Sequence, residues 1–107
     1  MRVLTSHHVD ASDRDTAGRC DFHYEYDIFV FQEGELSLVA RSYTDKASEA
    51  HFLRAEVNSQ SRRLTRMDLQ SGLAAEALAY LRSLGKVEIN WLSEVGGGYE
   101  PVAIARK

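Results

Sequence analysis

The segment 40-ARSYTDKASEAHF-52 gathers residue types that can act as acids, bases, metal ligands or anion contacts. It contains, in order, Arg41, Tyr43, Asp45, Glu49 and His51. Most of this polarity is explained by architecture. Arg41 and Tyr43 are in phase along a predicted strand, and Asp45 suits the turn that follows because its side chain can bond to the backbone nearby. The segment alone therefore does not define a catalytic site.

An aromatic and cationic patch is predicted where this strand pairs with the preceding one. Residues 20–31 and 36–43 are rich in aromatic and β-branched side chains and are separated by a short glycine-containing turn, a pattern typical of a β-hairpin. One face of the hairpin carries Tyr24, Tyr26, Arg41 and Tyr43. Tyrosine and arginine are frequent at recognition surfaces, so we take these four residues as the candidate ligand-binding site, suited to a planar or anionic ligand.

The opposite face of the hairpin predicts an interface between protein chains. If Glu33 and Gly34 form the turn, Phe31 faces Leu36 and Phe29 faces Leu38. Both faces are then apolar near the turn, and one helix can cover only one of them. Large apolar patches usually mark contacts. We therefore expect a homodimer with Phe29, Phe31, Leu36 and Leu38 in its interface, and a folded monomer after Phe31→Glu.

A basic segment lies further along the chain. Between positions 54 and 66, four arginines are accompanied by the single acid Glu56. Arg62, Arg63 and Arg66 are candidate anion contacts, whereas the simpler interpretation is a solvated turn that balances the acidic N-terminal part of the chain. Interleaved aromatic residues, which are typical of single-stranded nucleic-acid sites, are missing from it.

Other catalytic and cofactor motifs are not recognisable. Cys20 is the sole cysteine and lies beside Asp21, whose charge disfavours a thiolate. The four histidines are scattered without a compact metal-ligand spacing, and the glycine run 96–98 lacks the Lys-Ser/Thr of a phosphate loop. We predict no catalytic residue, no metal and no cofactor.

The overall composition predicts one soluble domain over residues 1–107. Hydrophobic residues make up 44% and charged residues 27%, which is an ordinary globular mixture. The net charge of −3 gives no general attraction to nucleic acid or anionic lipid. No apolar run reaches the roughly 20 residues of a membrane span. We expect a cytoplasmic protein, of bacterial origin.

The pattern of elements predicts an α+β fold. The order is β-β-β-β-α-β-β: an antiparallel sheet of five or six strands with one main helix, 68–84, packed on one face through leucines at helical spacing. Residues 50–57 fit a helix or a strand; we take the strand, with His51, Leu53, Ala55 and Val57 on one face. The last strand is predicted over 99–106, at a sheet edge because of Pro101.

These features favour a non-catalytic protein-interaction module, such as a small regulatory, adaptor or immunity-type protein, whose partner is a second copy of itself or another protein. The alternative is a small-ligand-binding or enzymatic domain that uses the face with Tyr24, Tyr26, Arg41 and Tyr43. Contact with nucleic acid through the basic segment ranks third.

The basic segment can be tested directly. We expect no substantial binding of duplex or single-stranded oligonucleotides at physiological salt, because a few phosphate contacts weaken steeply as salt rises. Fluorescence anisotropy titration measures this. Micromolar, salt-sensitive binding that disappears when Arg62 and Arg63 are both changed to alanine would contradict the expectation.

Overall fold

The computed structural model describes residues 1–11, 23–93 and 98–102 of the chain. Its elements, in chain order, are β1 (Arg2–Ala11), β2 (His23–Glu33), β3 (Leu36–Tyr43), a 3₁₀ turn (Thr44–Lys46), β4 (Glu49–Val57), β5 (Gln60–Arg62), α1 (Arg66–Leu69), α2 (Gly72–Ser83), β6 (Glu88–Ser93) and β7 (Gly98–Pro101). Cys20, Gly96, Gly97 and residues 103–106 of the predicted last strand lie outside the described ranges.

The described strands form one sheet in the order β1-β2-β3-β4-β6-β7, with β5 paired to the end of β4. The α+β class and the single main helix are confirmed. Two details differ from the prediction: the short β5 is an extra strand, and β4 and β6 run parallel. The helical connection causes the second difference, since it returns the chain across the sheet before β6 begins.

The hairpin of β2 and β3 turns at Gly34 and Glu35, one residue later than predicted. Gly34 adopts φ +60°, which glycine tolerates without steric cost. Phe31 therefore faces Leu38, and Tyr26 faces Tyr43. The predicted partners change by two positions. Because side chains alternate with a period of two, the assignment of residues to the two faces is unchanged.

The main helix is shorter than predicted because a second N-terminal cap, at Ser71, separates the short helix α1 from α2. Thr65 and Asp68 form a capping box at the start of α1, and the Ser71 hydroxyl accepts a hydrogen bond from the backbone of Ala74 at the start of α2. At the other end Gly85, with φ +88°, ends the helix in a Schellman motif. These caps fix the helix over one face of the sheet.

The helix closes the face that carries the hairpin's phenylalanines and leucines. Phe31 and Leu38 are fully buried and Phe29 is 3% exposed, and the ring of Tyr80 from α2 packs edge-on against Phe29 and Phe31. Leu36 is half-buried against the same cluster. This burial corrects the placement of these residues in an interface, because side chains enclosed within one chain offer little surface to a second one. The homodimer itself stays a prediction.

A bulge in β4 changes the predicted face of His51. Val39 pairs with Arg54 but Ala40 pairs with Phe52, so Leu53 has no residue opposite. Ala55, beyond the bulge, pairs with Leu38 on the helix-covered face. His51 lies on the opposite face, instead of sharing one face with Ala55 as predicted.

None of the helices in the described ranges is long and apolar enough to cross a bilayer.

The burial of Phe31 yields a test. Phe31→Glu places an unpaired carboxylate in a closed apolar core, so we expect a loss of roughly 4 kcal/mol or more in the free energy of unfolding, or outright unfolding. Gln32→Glu is the matched control, because it introduces the same group one residue later, on the other face. Urea denaturation followed by far-UV circular dichroism compares the two. A folded Phe31→Glu variant of near wild-type stability would contradict the burial.

Candidate functional site

The face of the sheet opposite α2 carries two rows of polar and aromatic side chains. The first row crosses three strands and consists of His8, Tyr26 and Tyr43. The second row crosses four strands and consists of Ser6, Ile28, Arg41 and His51. No described helix or strand lies over these rows. We call this surface the open face.

Arg41 is the centre of the open face. Its guanidinium carbon lies 4.8 Å from the ring centroid of Tyr43 and 5.8 Å from that of Tyr26. These distances allow cation–π attraction. Its Nη2 donates a hydrogen bond to the hydroxyl of Tyr99 over 3.3 Å. Within the described residues Arg41 forms no ion pair, and its Nε is buried without a hydrogen-bond acceptor.

His51 lies opposite Arg41 on the neighbouring strand, and both residues contact Tyr99. The ring centroids of His51 and Tyr99 are 4.6 Å apart. Burial lowers the pKa of His51 from its ordinary value, and the carboxylate of Glu49 opposes this shift only in part. The imidazole is therefore neutral near pH 7, and its Nδ1 is buried with no hydrogen-bond partner among the described residues. Two neighbouring residues that both contact Tyr99 therefore each bury one polar atom without a hydrogen-bond partner among the described residues.

The other predicted site residues complete an aromatic cluster. The rings of Tyr26 and Tyr43 meet edge-on at 5.7 Å, and Tyr24 and Tyr43 lie 5.9 Å apart. His8 stacks on the outer side of Tyr26, with a centroid distance of 5.4 Å. The structure therefore brings together all four predicted residues of the ligand patch. A cluster of this size holds the rings in fixed positions before any partner binds.

Sequence reasoning missed three residues of the site: His8, His51 and Tyr99. His8 was recoverable, since pairing of β1 with β2 places it opposite Tyr26. His51 was assigned to the wrong face because a bulge leaves no clear signal in one sequence. Tyr99 approaches from β7, two strands away from β4 in the sheet, and only the tertiary fold brings it to Arg41.

The basic segment is organised around a carboxylate. Arg62 donates from both terminal nitrogens to Asp68, with two distances of 2.7 Å. The backbone amide and hydroxyl of Thr65 donate to the same carboxylate. Arg62 is therefore part of the cap of α1, and its guanidinium is already bound to an anion of the same chain. Arg63 and Arg66 also have interactions within the protein. Anion binding by Arg62, Arg63 and Arg66 stays a prediction.

In the described part of the chain, no group of three or more histidine, cysteine or acidic side chains is arranged so that it could hold a metal ion. The nearest arrangement is on the exposed surface, where His7 Nδ1 lies 2.8 Å from Asp27. This hydrogen bond raises the pKa of His7, with a smaller contribution from Glu25.

Comparison of the chain with protein-family models, curated proteins and solved structures found no match.

The cap at Asp68 predicts a pH-dependent stability. Hydrogen bonds from Arg62 and Thr65 hold the pKa of Asp68 below its ordinary value of 3.8. The ionised carboxylate therefore stabilises the fold above that value, and this contribution is lost as the pH falls through the folded-state pKa. We expect Asp68→Asn to cost about 2 kcal/mol near neutral pH, and the difference from wild type to shrink below about pH 4.

Urea denaturation of both proteins between about pH 7 and pH 2 measures this effect. Glu76→Gln, which neutralises an exposed acid on α2, is the control and should leave the stability nearly unchanged. A stability difference between Asp68→Asn and wild type that does not vary with pH would contradict the role of the ionised carboxylate.

Proposed function

We propose that the protein is a non-catalytic interaction module whose open face binds a protein partner through a carboxylate that pairs with Arg41. The observation that supports this most strongly is the environment of Arg41. Its guanidinium is held against two tyrosine rings and has no acidic partner among the described residues. An arginine fixed in this way presents planar, charged donors that match a carboxylate in geometry.

The composition of the open face supports a protein partner. Tyrosine and arginine are the residue types enriched where protein interfaces are most deeply buried. Tyr24 is 52% exposed and Tyr99 is 47% exposed, and Leu4 and Leu92 add exposed apolar surface. Tyr and Arg side chains of this kind lose little freedom on binding when their neighbours already hold them. The face thus offers anchors for a partner without prior rearrangement.

The shape of the open face favours a protein over a small ligand. Sites for small molecules are concave and enclose most of the ligand. A shallow cleft lies at one end, lined by Tyr24, Glu25, Thr44 and Asp45, and it does not include Arg41. Val39, in the middle of the sheet, is fully buried without a helix above it, because its neighbours close around it. The cleft described at this face thus leaves out the Arg41 cluster, which supports a protein partner.

The polar groups of the open face are also poorly arranged for catalysis. Ser6 Oγ and His8 Nε2 lie 2.8 Å apart, which resembles a nucleophile and its base. In such pairs a third group orients the base. Here, within the described residues, no carboxylate holds the other nitrogen of His8, whose ring instead stacks on Tyr26. This arrangement supports the proposal of a binding protein.

The proposal is tested by quantitative capture from cells that naturally express the chain, followed by calorimetry with the purified partner. Arg41→Gln should weaken the partner's affinity about 30-fold, as expected for an interface hot spot. Arg41→Lys should recover only part of it, because lysine keeps the charge but not the planar donors. Arg82→Gln, on the exposed side of α2, is the matched control and should bind like wild type.

Two results would contradict the proposal. One is a partner that binds Arg41→Gln as tightly as wild type, or that is lost equally with Arg82→Gln. The other is saturable binding of sodium benzoate, a planar carboxylate, at submillimolar concentration, seen as a shift of the Arg41 Nε–H resonance by nuclear magnetic resonance. That result would favour the small-ligand alternative.

A further inference from the structure

Strand β1 forms one outer edge of the sheet. It pairs with β2 over its whole length, from Arg2 opposite Gln32 to Ala11 opposite His23, without a register shift. No strand of the described residues lies on its other side. Such an edge presents a row of backbone donors and acceptors that another strand can use.

The two outer edges of the sheet differ in how they are protected. Natural edges are protected by short length, proline, charged side chains such as lysine, or a bulge. The β7 edge is short and contains Pro101. The β1 edge has ten residues, contains neither proline nor lysine, and carries exposed Leu4 and Val9. Its only formally charged residues stand near its two ends, at positions 2 and 10, so the edge between them indicates a place where a strand is added.

We propose that this strand is β1 of a second copy, paired antiparallel about a two-fold axis at Ser6. In an antiparallel pair, the numbers of any two opposite residues add to the same sum, and this sum identifies the register. For two identical strands the sum must be even, because only then do the outward-facing backbone groups of both strands meet. A sum of 12 pairs residues 2 to 10 of one strand with residues 10 to 2 of the other. It places Val3 opposite Val9 of the second copy, and Arg2 opposite the acidic residue type at position 10.

Neighbouring registers are chemically poorer. A sum of 10 places Val3 opposite His7, and a sum of 14 places Leu4 opposite the aspartate at position 10. Of these three registers, only the one with a sum of 12 pairs valine with valine and a basic with an acidic residue near both ends of the strand. The strand is therefore self-complementary, which is the requirement for a two-fold interface.

The pairing has a consequence for the open face. Residues that face each other in an antiparallel pair point to the same side of the sheet, so the two sheets become continuous with their open faces on one side. Leu4 then lies opposite His8 of the second copy, and His8 already stacks on Tyr26. The dimer would present two Arg41 clusters on one surface. This inference does not depend on the proposed partner, since it concerns the β1 edge alone.

A disulfide at the axis tests the register. In a Cys20→Ser background, Ser6→Cys brings two cysteines about 5 Å apart between Cα atoms, within the range that a disulfide bridges. Thr5→Cys is the matched control, since its two copies would be about 8 Å apart, beyond that range. Under mild oxidation we expect covalent dimers of Ser6→Cys and not of Thr5→Cys. Cross-linking of Thr5→Cys in preference would overturn the register.

Sedimentation equilibrium tests the edge itself. The wild-type chain should be a dimer at micromolar concentration, and Val9→Lys should weaken the dimer about tenfold or more by placing a lysine on the edge. Val87→Lys, at an exposed position outside the strands, should leave it unchanged. A wild-type monomer up to about 100 µM, or equal dimerisation of Val9→Lys and wild type, would overturn the proposal.

Discussion

The packing of one helix on one face of the sheet is the constraint on which the rest of this structure depends. Leu73, Ala77 and Leu81 of α2 are buried with the phenylalanines of β2 and β4, and together they form the core. A helix is too narrow to wrap a sheet of this width, so the second face has no described element above it. Its side chains therefore contact one another and solvent instead of a second layer. They do so with aromatic contacts and with the guanidinium of Arg41 lying against Tyr26 and Tyr43.

This arrangement gives the open face an unusual electrostatic character. Arg41 has no acidic partner among the described residues, while burial lowers the pKa of His51 next to it. Tyr99 contacts both residues: its ring lies against that of His51, and its hydroxyl accepts a hydrogen bond from Arg41. In contrast, Arg62 has its charge balanced by Asp68 within the same chain. The two arginines show why charge in a sequence does not by itself indicate a binding site: one stabilises a helix cap, and the other faces outward among aromatic rings.

The sequence allowed correct prediction wherever a local pattern determined the structure. Alternation placed Phe31 and Tyr26 on opposite faces, and this survived an error in the turn because the register changed by two residues. The leucine spacing correctly predicted the main helix, which Gly85 terminates with its positive φ. Predictions were wrong where the structure depends on contacts between segments that are far apart in the chain. The bulge opposite Ala40 reassigned His51, the parallel pairing of β6 followed from the helical crossover, and the contact of Tyr99 with Arg41 joins positions far apart in the chain.

We propose that the face opposite α2 is the surface at which the protein binds its partner. Cross-saturation by nuclear magnetic resonance, with the partner protonated and this chain deuterated, measures it most directly because saturation passes only to groups in contact. We expect saturation to reach the amides of β3 and β4 around Arg41 and His51, and not the exposed side of α2. Transfer concentrated on Glu76 and Arg82 of the helix would contradict it.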